Sequence, residues 1–96
     1  MQHRPIAVLW PDEENYARFR EISDGVTAAT LKDYRASIAK DLEAKERAGI
    51  KFDRLPFDVE ELLVFARSEG SARVTSKMRA TFAAMQQHRR DTATKH

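Results

Sequence analysis

Three glycines and three prolines punctuate this chain, and their spacing leaves room only for short elements. Gly25, Gly49 and Gly70 each follow a stretch of helical periodicity, whereas Pro11 and Pro56 each close a short strand-like run. Glycine is the residue most often found just past the last turn of a helix, and proline cannot continue a strand's hydrogen-bond ladder. The segments between these stops are read as two strands and four helices.

Residues 6–10, Ile-Ala-Val-Leu-Trp, form an apolar run with β-formers and are read as a buried strand. Pro11 then suits the first turn of a helix, and Asp12, Glu13 and Glu14 put negative charge at the positive end of its dipole. Tyr16, Phe19 and Ile22 supply its inward face, and Ser23-Asp24-Gly25 stops it. Thr30 and Asp33 resemble a capping box ahead of a helix over 31–48, whose inward stripe is Leu31, Tyr34, Ile38, Leu42 and Lys45. Asp41–Lys45 and Glu43–Arg47 stand four apart on its outer side, acid first. Residues 50–55 begin by alternating, with Ile50 and Phe52 on one side and Lys51 and Asp53 on the other, as a half-buried strand does.

The next helix has the clearest start. Asp58 stands as its cap with Glu61 three residues on, and Phe57 and Leu62 occupy the hydrophobic-staple positions. Val59, Leu62, Leu63 and Ala66 make the buried stripe, flanked by Phe65. After a connector, Thr75 or Ser76 caps a last helix to about Arg90, with Met78, Phe82 and Met85 as its apolar stripe. Residues 91–96 are polar, lack an apolar anchor and are expected to fray.

The expected fold is therefore a helix-rich α/β chain of the α+β type, one compact domain over 1–90 in the order β-α-α-β-α-α. If every helix crosses the domain, the first strand runs up, the helices down and up, and the second strand down. The two strands then pair antiparallel. A lone two-stranded sheet is marginal in water, which gives a physical reason to expect a second copy of the chain, a homodimer.

Catalytic chemistry finds little footing. A chain of 96 residues buries roughly two thirds of its unfolded surface, so a deep enclosed site would consume much of its core. Without cysteine there is no disulfide, thiolate nucleophile or thiolate metal ligand. His3, His88 and His96 lack the i, i+4 spacing of a helical metal site and read as solvated. The acids at 12–14 and at Asp58, Glu60 and Glu61 lie in first helical turns, where capping explains them. Ser71, within Glu69-Gly70-Ser71-Ala72-Arg73, lacks the second glycine of a nucleophile elbow, and three helix-ending glycines leave none for a phosphate loop. No catalytic residue, cofactor, metal or small-molecule substrate is expected; a small enzyme would need a concave pocket with convergent polar groups. The N-terminal apolar run is too short for a signal peptide or a membrane span, so the cytoplasm is the expected compartment.

Two features point elsewhere. Residues 1–69 carry 11 Lys/Arg against 14 Asp/Glu, whereas 70–96 carry 6 Lys/Arg against 1 Asp. That basic segment makes Arg73, Lys77, Arg79, Arg89 and Arg90 candidate phosphate contacts on a helix–connector–helix over 59–87. Against this, the connector at 70–74 is longer than a helix-turn-helix turn, and the last helix lacks a base-reading array at its start. The second feature is apolar material off the core stripes: Val64, and a smooth side of Ala80, Ala83 and Ala84. Trp10, at the end of the first strand, is a core residue first and an interface residue second. The reading these support is a non-catalytic binding or regulatory module acting through protein contacts as a homodimer, with nucleic-acid binding by the basic helix as the alternative.

Overall fold

The computed structural model describes residues 4–93. The elements follow the expected order: β1 (Ile6–Leu9), α1 (Tyr16–Ile22), α2 (Leu31–Arg47), β2 (Phe52–Leu55), α3 (Val59–Ser68) and α4 (Ser76–Ala93). Local signals set most of the boundaries. The Asp33 N–H donates to Thr30 Oγ1 at 3.1 Å, and Asp58 Oδ1 accepts from the Glu60 and Glu61 N–H groups at 2.8 and 3.2 Å. Thr75, rather than Ser76, caps α4, accepting from the Met78 N–H at 3.2 Å. Gly49 and Gly70, at φ of +99° and +80°, take the left-handed conformation that ends α2 and α3.

Helix α1 begins at Tyr16, not at Pro11. Asp12 and Asn15 exchange hydrogen bonds, each backbone N–H reaching the other's side-chain oxygen at 2.9 Å. That closed turn occupies the stretch where the acidic first turn of a helix was expected. At the other end of the chain α4 runs three residues past Arg90, and Asp91 pairs with Arg4 at 3.2 Å. The rest of the expected frayed tail, residues 94–96, lies outside the described residues.

The sheet is parallel, not antiparallel, with Ile6 opposite Phe52, Ala7 opposite Asp53, Val8 opposite Arg54 and Leu9 opposite Leu55. The Ile6 N–H donates to Lys51 O at 2.9 Å and the Trp10 N–H to Leu55 O at 2.8 Å. The antiparallel expectation treated α1 as a full crossing. Its seven residues rise only about 10 Å, and the chain leaves it in an extended conformation at Ser23. The 17 residues of α2, about 25 Å long, make the return alone. Its start lies by the end of β1, where Arg35 donates to Pro11 O at 2.6 Å. Its end leads into β2, with the Ile50 N–H on Lys45 O at 3.1 Å. One return brings β2 in parallel to β1.

Side chains alternate across a strand, so the sheet has two faces. Asp53, on the face of Ala7 and Leu9, meets Gln87 and Arg90 of α4. Arg54 and Trp10, on the opposite face, meet Glu46 and Arg35 of α2. The two helices sandwich the sheet, and both run against β1: Gln87 of α4 donates to Pro5 O at 2.8 Å, at the strand's beginning. The core lies toward the Leu9 end, where Phe19 packs edge-on against Tyr34 and Phe57 with ring centroids 5.7 and 5.3 Å apart. Leu62, Ala66, Val74, Phe82 and Ala83 are buried in the same cluster. A parallel bridge between Ser23 and Val74 ties the chain after α1 to the residue before α4, with the Asp24 N–H on Val74 O at 2.8 Å.

Candidate interaction surface

Helix α4 carries most of the residues singled out by sequence, and its two sides differ in kind. Ala83 is 0% exposed and packs in the core, so it is not a surface residue as the smooth-alanine reading supposed. The reason is the sandwich. Ala80, Ala83, Gln87 and Arg90 recur at three- and four-residue spacing, a second helical stripe that turns toward β1 while Phe82 turns toward α3. Small residues let the helix approach the strand closely. Gln87 was missed from the sequence although this spacing contains it; it is buried and reaches both Pro5 O and Asp53 Oδ2, the latter at 3.3 Å.

The basic residues do not converge on one face. Arg73 donates to Asp24 Oδ1 at 2.5 Å and to Ser23 O at 3.0 Å. Half-buried Arg79 donates to Asp24 O at 2.9 Å and Val74 O at 3.2 Å, and desolvation lowers its pKa while leaving it charged. Arg90 pairs with Asp53 at 2.6 Å and with Asp91 at 3.0 Å. The Arg90 hydrogen bond holds the Asp53 carboxyl below its usual pKa, and the same bond raises that of Arg90. These three arginines staple distant parts of the chain. The side chains of Lys77 and Arg89 have no hydrogen-bond or ion-pair partner among the described residues, and both residues are exposed. Trp10 is half-buried, its ring flanked by the guanidinium groups of Arg35 and Arg54, each 5.4 Å from the ring centroid. Each such cation–π contact contributes on the order of 0.5–1 kcal/mol at a partly exposed site.

Two of the concave surfaces among the described residues lie between secondary-structure elements and carry apolar walls. The first, about 410 Å³, is a groove between α3 and α4. Phe65 and Phe82, 5.8 Å between centroids, form its floor. Val64 at 66% exposure and Met85 at 41% form its apolar rim. Asp58, Glu60 and Glu61 line the α3 wall and Arg89 the α4 wall. Asp58 is engaged as a cap, and Glu60 pairs with Arg18 at 2.9 Å, a bond that lowers its pKa. Glu61 has no ion-pair partner among the described residues.

The second, about 400 Å³, follows the outer edge of β1 between α2 and α4. All four β1 residues line it, with Tyr34, Ile38, Leu42 and Lys45 on one wall and Ser76, Arg79, Ala80 and Ala83 on the other. Ala84 stands on the far, exposed side of α4, beside exposed His88. His3 and His96 lie outside the described residues. Among the described residues no three His, Asp or Glu side chains converge as a metal site would require, and no helix is long and apolar enough to cross a membrane. Comparisons with protein families, with characterised proteins and with solved structures find no match to this chain.

Proposed function

We propose that this chain is a non-catalytic binding module that acts through protein contacts and self-associates through the groove between α3 and α4. The observation that carries the reading is the exposure of Val64 and Met85 beside the Phe65–Phe82 pair. Covering such a side chain contributes on the order of 1.5–3 kcal/mol. A second copy suits the charges: the acid without an ion partner, Glu61, stands on one wall and Arg89 on the other. A two-fold axis passing between the walls sets Arg89 of each copy against Glu61 of the other, the self-complementary arrangement a symmetric dimer requires.

Sedimentation velocity across a range of concentrations tests this. The native chain should sediment as a dimer whose melting temperature rises with concentration, and Val64→Asp with Met85→Asp should give a folded monomer whose melting temperature does not. Glu61→Arg alone should weaken the dimer, and adding Arg89→Glu should restore it. A native chain that stays monomeric at high concentration overturns the proposal.

Nucleic-acid binding by α4 is the weaker reading, because Arg73, Arg79 and Arg90 are engaged within the chain and only Lys77 and Arg89 of the five are open. Retention of DNA or RNA in a low-salt gel shift, lost steeply on adding salt, would reverse that ranking.

A further inference from the structure

We infer that the free edge of β1 accepts an extended peptide segment, apolar in alternate positions and acidic at its ends, as a third strand of the sheet. Among the described residues the sheet has two strands, and none pairs with this edge. Ile6 and Trp10 turn their N–H groups to β2, so the strand's alternation turns the N–H and C=O groups of Ala7 and Leu9 the other way, toward the cleft. Four consecutive strand residues, from both faces of the sheet, line that cleft, as they do where an opening follows an edge, and on the Ile6 side it reaches as far as Phe52 of β2. A row of unpaired backbone groups recognises another extended chain, with affinity from main-chain bonds and specificity from alternate side-chain pockets. Exposed Ala80 leaves room on the α4 wall, and Ile38 and Leu42 make the α2 wall apolar.

The charge of the cleft selects the occupant. Lys45 and Arg79 line it, and no acidic side chain of the described residues does: Lys45 also holds Asp41 at 3.1 Å in an exposed pair, which contributes little, and Arg79 bonds backbone carbonyls and no carboxylate. They stand at opposite ends. Lys45 adjoins Ile50, next to the start of β1. Arg79 lies two turns before Gln87, about 12 Å back along α4, and Gln87 bonds Pro5. From Pro5 to Leu9 the strand rises about 13 Å, so Arg79 stands at the Leu9 end. The cleft is open at Ile6, which is 52% exposed, and closes at buried Leu9. A second copy is a poor occupant, because antiparallel pairing of two β1 edges would set Lys45 of each copy against Arg79 of the other.

The test uses the full chain, isotope-labelled for NMR, and two blocked probe hexapeptides: Glu-Val-Thr-Val-Thr-Glu and its lysine-ended counterpart, Lys-Val-Thr-Val-Thr-Lys. The acidic probe should shift the Ala7 and Leu9 amide resonances and slow Ala7 hydrogen exchange by about tenfold or more. The lysine-ended probe should bind about tenfold more weakly or worse. Ala80→Trp, which fills the cleft, should abolish the response, while the Val64→Asp, Met85→Asp double variant should keep it. The two proposals therefore fail separately. Shifts confined to the α3–α4 groove, no shift at millimolar acidic probe, or equal binding of the two probes would each overturn the inference. So would an Ala7 amide whose protection in the free chain rises with protein concentration, since a second copy would then hold the edge.

Discussion

The inner and outer sides of α4 are built from the same kinds of residue and put to opposite uses. On the inner side Ala83 is sealed against the strand, Gln87 joins Pro5 to Asp53, and Arg79 and Arg90 each hold partners far away in sequence. On the outer side Ala84 faces solvent, Met85 is exposed, and the Lys77 and Arg89 side chains have no partner among the described residues. Charge and alanine content therefore say little about role on a helix held between two layers. What counts is whether a carboxylate, a carbonyl or a strand stands opposite.

The same substitution placed on the two sides should have very different effects. Ala83→Asp buries a carboxylate in the core, where the nearest cation on α4, Arg79 one turn back, is already bonded to Asp24 O and Val74 O, and should cost more than about 3 kcal/mol in urea unfolding. Ala84→Asp, one residue along, should stay within about 0.5 kcal/mol. Equal effects would show that the sides are not distinct. Gln87→Leu comes next. It leaves Pro5 O without its donor and Asp53 Oδ2 with Arg90 alone, and should cost about 1–3 kcal/mol.

A subtler test is the pH dependence of Asp53. Its pKa in the folded chain is lowered by Arg90, so its contribution is fully present above the unfolded value, about 4, and is lost as pH falls through the folded value. The melting-temperature gap between the native chain and Asp53→Asn should be widest near neutral pH and close in acid. A gap independent of pH would mean that the Arg90 pair is not formed. The smallest effect belongs to the outer cations. Lys77→Glu and Arg89→Glu should each leave unfolding within about 0.5 kcal/mol of the native chain, and a loss above about 1 kcal/mol would reveal a partner for them.

What the sequence disclosed follows the range of the signals. Thr30, Asp58 and the glycines at helix ends act on neighbours two to four residues away, so their elements were readable one after another. The strand direction was not, because it depends on α1 being too short to cross the domain, and α1 is short because Asp12 and Asn15 close a turn where the helix was expected to start. The candidate site divided in the same way. Val64 stands off the α3 stripe by local periodicity alone. Ala83 was misplaced because one apolar stripe was sought on α4 when the helix has two buried sides. The partners of Arg73, Arg79 and Arg90 lie on the loop after α1 and on β2, beyond the reach of any local pattern. The edge of β1 emerges only once β2 is known to occupy the other side.

The parallel pairing also dictates an order of events. Ile6, almost the first described residue, has its partner at Phe52, beyond two helices and a long connection. A nascent chain must therefore carry this strand unpaired until Leu55 has been made. Closing so large a loop is slow compared with winding α2 or joining α3 to α4, because the entropy is lost before the contacts form. Helical contacts should accordingly appear early in refolding and the strand register late, leaving β1 as the segment most exposed to mispairing in the interval.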